Sequence, residues 1–209
     1  MKRQFLVIGA LFLVCSMAMC VGQAQIPDKL FEEYSKIETT QKDIDSTFNS
    51  YWDQQTKRID YATKNMDNHN IDYNYMISML KSEQLILDEI ADKKVAYSTQ
   101  ITDFYGVVKQ LEGNDAKSKA NELTIILRKS EQYLGNAALR YSTATNAVGI
   151  IMNYYATDAN FSDSKIIDEI KAQDITAKTN FQEGDSFLTQ YYQSIDEANA
   201  TYQELKKLK

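Results

Sequence analysis

The apolar positions of this chain fall into four long stripes, each stepping by three and four residues. One unbroken stripe reads Tyr73, Met76, Leu80, Glu83, Leu87, Ile90, Lys94, Tyr97, Ile101, Phe104, Val108, Leu111. Such alternation is a heptad a/d seam, the mark of a helix packed along its whole length against other helices. A second stripe runs from Ala116 through Leu123, Leu127, Ser130, Leu134, Tyr141 and Ala144 to Tyr155. A third runs from Ile167 through Asp174, Ala177, Gly184, Leu188 and Tyr191 to Leu205. The earliest stretch reads Leu30, Tyr34, Ile37, Gln41, Ile44, Phe48, Tyr51, Gln55, Ile59, Ala62, Met66. Its four-four step from Tyr51 to Ile59 predicts a stutter that locally unwinds the supercoil. No period-two stretch suggests a strand.

The breaks between stripes carry helix-end signals. Pro27 followed by Asp28 suits a helix start, where proline loses no hydrogen bond and an acid meets the dipole. Asn70 is a candidate N-cap after the first break, Asn114 or Asp115 after the second, and Ser162 or Ser164 after the third. Gly113 suits the left-handed position closing the second helix. These signals predict helices over about 28–67, 71–112, 115–157 and 163–207. A helix of about 40 residues is roughly 60 Å long at 1.5 Å per residue. Short connections make neighbours antiparallel, so the expected fold is all-α: an elongated antiparallel up-down-up-down four-helix bundle with coiled-coil-like heptad packing. A chain with a single proline and 7 glycines supports long helices over a sheet-and-turn architecture.

The first 24 residues change the picture of where the bundle works. Lys2 and Arg3 precede an apolar run from Phe5 to Val21, and Gly22 and Ala24 give the small-x-small exit of a secretory leader. The expected organisation is therefore a signal peptide over 1–24 and a single bundle domain over 25–209, placed outside the cytoplasm. Two rivals keep a membrane tether: an uncleaved leader, or a lipid on Cys20, before which Met19 is an unfavourable residue. Cys15 and Cys20 both lie in the leader. Cleavage after Ala24 would leave no thiol for catalysis, metal binding or haem attachment.

Charge and motifs narrow the function classes. A net charge of −6 without a basic stripe argues against nucleic acid as partner. The one histidine, His69, falls in the first break, so neither a Glu-x-x-His di-iron set nor a zinc-protease pair can be built. No phosphate-binding glycine loop occurs, and no cofactor is expected. Asn160-Phe161-Ser162 and Asn199-Ala200-Thr201 make Asn160 and Asn199 candidate glycosylation acceptors. Many of the 14 tyrosines fall on the seams, while Tyr61, Tyr75, Tyr105, Tyr133, Tyr154 and Tyr192, with Trp52, fall beside them. Those either widen the apolar face or form a recognition surface. Ala147 to Met152 reads as core at the end holding the third break.

The expectation is then a non-enzymatic exported protein, structural or protein-binding, with a protein partner or self-association. The alternative is a small-ligand- or cation-binding sensory bundle using an interior polar layer. Antiparallel register puts the seam residues Gln55, Glu83 and Asp174 level with one another beside Ala144, with Arg58 or Arg140 as counter-charge. The same register puts Lys94 near Leu134 and Gly184. The plain reading of that layer is a device that fixes register, as single buried polar residues do in coiled coils.

Overall fold

The structure is a computed structural model and describes residues 26–66, 71–157 and 159–209. It contains four helices: α1 (Asp28–Met66), α2 (Tyr73–Val108), α3 (Asn114–Ala156) and α4 (Ser164–Lys206). No strand occurs among the described residues. Consecutive helices run antiparallel and pack as a four-helix bundle about 60 Å long.

At α2 and α4 a side chain one or two positions from the expected cap does the capping, while α3 starts from Gly113 with no side-chain cap, in place of Asn114 or Asp115. Asp72 Oδ1 accepts from the Tyr75 amide at 3.0 Å and caps α2, in place of Asn70. Asp163 Oδ1 accepts from the Lys165 amide at 2.9 Å and caps α4, in place of Ser162 or Ser164. Aspartate suits both places because its carboxylate also meets the positive end of the helix dipole. Gly113, at φ 101°, makes the turn from α2 into α3, a conformation that costs an L side chain strain. α2 stops at Val108, earlier than expected, and Leu111 folds in beyond its end as a buried plug.

Large aromatics fill the middle of the bundle. Tyr34, Phe48, Tyr51, Tyr97, Tyr141 and Tyr191 are all fully buried. Buried hydroxyls need partners, and several find them on another helix. The Gln41 side-chain amide on α1 donates to Tyr97 Oη on α2 at 3.0 Å. Tyr97 therefore donates onward to Ser130 Oγ on α3 at 2.7 Å, and Ser130 donates to the Leu127 carbonyl at 2.7 Å. This relay ties three helices at one level, and burial pushes the Tyr97 hydroxyl up to about 12. Tyr34 stacks on Tyr202 at 3.7 Å and donates to Asn199 Oδ1 at 3.0 Å.

Side-chain size sets the helix spacing. α3 and α4 pack most extensively, and both bury small residues: Ala120, Ala137 and Ala144 on α3, Ala177, Gly184 and Ala198 on α4. Across the closing side, no Cα of α1 comes within 8 Å of one in α4, because tyrosine rings fill the gap. Gly184 is the tightest point: a Cβ there would fall 2.7 Å from the Tyr141 ring. The seam expectation put Lys94 at this gap. Instead Tyr141 fills it, while Lys94 runs over Gly135 and pairs with Glu131 at 3.3 Å. A lysine can turn outward to a carboxylate; a tyrosine at that level has no cheaper place for its ring than the glycine notch.

The two ends of the rod differ. At the end holding the α2–α3 turn, burial continues to the helix tips: Leu30 on α1, Val108 on α2, Ala116 on α3 and Leu205 on α4 are all buried, with Ile26 and Leu111 closing over them. At the other end, α1 buries nothing after Arg58, α2 nothing before Met76, α3 nothing after Ala147 and α4 nothing before Ala177. Ile59 and Met66, expected on the seam, are 51% and 61% exposed. Tyr155 and Ile167, also seam positions, are exposed too. The seam on α1 runs without a stutter from Tyr51 by one full heptad to Arg58, so Ile59 turns out. Ala147 is buried as expected, but Ile150 in the same apolar segment is exposed.

Candidate functional site

Two places in the bundle carry more than packing: a buried ion pair and the open end. The first lies where the polar layer was expected. Glu83 on α2 is fully buried, and Arg58 on α1 meets it through two contacts, Nε to Oε1 at 2.6 Å and an Nη to Oε2 at 3.3 Å. Burial pushes the Glu83 carboxyl above its ordinary value, and the Arg58 guanidinium pulls it part of the way back. The fork geometry answers both carboxylate oxygens, which is what a charge held out of water requires.

The rest of the expected layer does not assemble. Asp174 lies half-exposed on α4 and bonds Lys178 of its own helix. It cannot share a layer with Glu83, because α4 sends no buried side chain inward before Ala177. Gln55 is half-buried, with its amide 3.5 Å from Tyr51 Oη. Arg140 is drawn to α4, where it meets Glu183 at 2.9 Å and Asn180 at 3.2 Å. Of the residues expected there, Glu83 and its counter-charge Arg58 come together; Asp174 and Arg140 do not join them. The arginine fills the place a bound cation would take.

Cys20 and His69 lie outside the described residues. Asn160 is exposed in the α3–α4 connection, its side-chain oxygen accepting from the Ser162 amide at 3.1 Å. Asn199 lies inside α4 with its oxygen engaged by Tyr34, a poor setting for a modifying enzyme. Among the described residues no group of three His, Cys, Asp or Glu is placed to hold a metal, and no helix is long and apolar enough to cross a membrane.

The second place is the open end, and it is a hollow. Ala62 and Met66 from α1, Ile71 before α2, Tyr73 and Met76 from α2, and Met152 and Tyr155 from α3 line a cavity of about 470 Å³. Met76 is 3% exposed and forms part of the floor; Met66 stands on the rim. Tyr73 and Tyr155 stack face to face at 5.1 Å with 17° between their planes. Phe161 continues the aromatic row at 5.0 Å from Tyr155. Beside it Tyr61 and Tyr75 meet edge to face at 4.9 Å, and Tyr61 Oη takes the Asp72 amide proton at 3.0 Å. The hollow exists because α4 contributes no buried side chain here, so three helices must close a space built for four. Every methionine after Ala24, namely Met66, Met76, Met79 and Met152, belongs to this end.

Sequence reasoning missed this site. Its signal was available in the methionines, which flank the first and third breaks and nothing else. The off-seam tyrosines divide as well: Trp52 and Tyr133 pack against the core, while Tyr75, Tyr105 and Tyr192 are exposed.

The fold and this end together define a class: an elongated four-helix bundle, sealed at one end and open and apolar at the other. Comparison with protein-family models, curated proteins and solved structures finds no match.

Proposed function

We propose that the protein is an exported, non-enzymatic binding module, in which the bundle is a stiff spacer and the open end holds the binding surface. What supports the binding reading is the contrast between the ends. A helical rod that needed only to be stable would bury its last turns at both. Here one end does so, while the other keeps methionine, isoleucine, tyrosine and phenylalanine side chains toward water. Methionine and aromatic residues are the types enriched in recognition surfaces, because they offer large contact area that adapts in shape. Export is supported by the leader pattern over 1–24. The non-enzymatic reading is supported by the sequence itself, which has one histidine and both cysteines within the leader.

The interior-layer alternative has less behind it, since Arg58 already neutralises Glu83 and Asp174 faces outward. The test is site-specific photo-crosslinking in the native host. A photoreactive residue at Met66, on the open end, should give discrete adducts in the envelope or culture-fluid fraction. The same residue at Glu112, exposed at the sealed end, should give none. Identical adducts from both positions, or adducts from neither, would overturn the proposal.

A further inference from the structure

The cavity at the open end has dimensions and chemistry that specify a ligand class. Its volume of about 470 Å³ falls inside the roughly 300–1,000 Å³ typical of small-molecule pockets. Among the described residues that line it, Ala62, Met66, Ile71, Tyr73, Met76, Met152 and Tyr155, none carries a charge. A charged group placed among these side chains would lose hydration with no opposite charge among them in return, so they suit an occupant that is uncharged where they surround it. The stacked Tyr73–Tyr155 pair gives one aromatic side to the cavity, suited to contact with another aromatic ring or an apolar chain. The thioethers of Met66, Met76 and Met152 give the remaining walls soft, polarisable surfaces that follow a ligand's outline. Ala62 leaves the room: at this level of α1 the seam has a methyl group where Tyr51 and Phe48 fill the core further along.

We propose that this cavity binds one small, uncharged, apolar molecule of the aromatic or acyl-chain class. The proposal deepens the reading of the open end as the binding end by naming the ligand. The chain's own apolar leader is not the natural occupant. Residue 26 is anchored at the sealed end, so Phe5 could return along a rod of about 60 Å only by extending almost fully at ~3.5 Å per residue.

The full mature chain is titrated with N-phenyl-1-naphthylamine, an uncharged aromatic probe whose fluorescence rises in apolar surroundings, and stoichiometry is read by native mass spectrometry. The expected result is saturable binding of one probe per chain. Ala62→Trp fills the cavity and Met152→Glu charges its wall; each should weaken binding at least tenfold. Met66→Glu, on the exposed rim, cannot unfold the bundle and should weaken it several-fold. Leu139→Glu, on an exposed face mid-rod, should leave it unchanged, and far-UV circular dichroism should show the same helicity throughout. Absence of saturation, equal loss in Leu139→Glu, or indifference to both cavity variants would overturn the proposal. So would a dimer that Met66→Glu dissociates, since a second copy would then be the occupant. The crosslinking at Met66 separates the two proposals. Adducts that persist in Ala62→Trp, alongside a chain that binds no probe, remove the small-molecule site and leave the binding end standing.

Discussion

The Arg58–Glu83 pair makes an asymmetric prediction about stability. Three variants matter: Arg58→Leu, Glu83→Leu and the double replacement. Removing one member of a buried ion pair typically costs about 3–5 kcal/mol, because the other is left charged and dry. The two members are not equally trapped here. The Glu83 side chain is fully buried, whereas Arg58 has a long stem and its side chain keeps 9% exposure. Arg58→Leu should therefore cost the full ~3–5 kcal/mol at neutral pH. In Glu83→Leu the guanidinium can turn toward water along its apolar stem, so the loss should be nearer 1–3 kcal/mol, that of a charged hydrogen bond. The double variant should be neutral or more stable than the parent by about 1–4 kcal/mol. The pH dependence follows from the raised Glu83 carboxyl. An acid whose folded-state pKa lies above its unfolded value stabilises the fold fully below the unfolded value, near 4.5. That contribution is lost as pH rises through the folded value. Arg58→Leu removes the group that pulls the carboxyl down, so its deficit should be large at neutral pH and shrink as the solution is acidified toward 4.5. Urea unfolding followed by far-UV circular dichroism, with Trp52 fluorescence as a second probe, measures all three across pH. Trp52 suits this because it packs edge-on against Tyr141 at 5.1 Å in the middle of the bundle. Single-variant losses that add up to the double variant's, or an Arg58→Leu deficit that does not change with pH, would refute the reasoning.

Other perturbations have opposite signs at chemically similar places. Gly184→Ala should destabilise the bundle by about 1–2 kcal/mol in thermal or urea melts, since the new methyl must displace the Tyr141 ring. Gly149→Ala, with nothing within 4 Å of the added Cβ, should stabilise it by about 0.5–1 kcal/mol through helix propensity; a loss there would mean that the helix around it is not regular. Tyr97→Phe leaves the Gln41 amide and Ser130 hydroxyl without their shared partner and should cost about 1–3 kcal/mol, which Tyr97→Phe combined with Gln41→Leu should partly recover. Mild peroxide should oxidise Met66 first and Met76 last by peptide mapping, in the order of their exposure; simultaneous oxidation would mean that this end opens as a unit.

Much of the architecture was legible in the residue pattern. A heptad repeat reports the local geometry of a helix, and the four stripes with their short breaks were enough for four antiparallel helices. Glu83 in the seam of α2 could be read before any coordinates, with Arg58 or Arg140 as counter-charge, because register in a short-looped bundle is set by counting from the turns; the packing chose Arg58. The capping residues were read a position or two away, since Asp72 and Asp163 compete with neighbouring asparagines and serines of similar chemistry. What the repeat could not report is whether another helix arrives opposite each seam residue. Asp174 and Ile167 keep the spacing of core positions, yet α4 buries nothing until Ala177, and both face water. The four-four step from Tyr51 puts Ile59 on the seam, but the structure keeps the unbroken heptad from Tyr51, which places Arg58 inside and Ile59 out. The sequence thus determined the helices, their direction and their level. Only the tertiary packing decided which end of the rod was sealed and which was left hollow, because filling the core there depends on the joint reach of side chains from four separate helices.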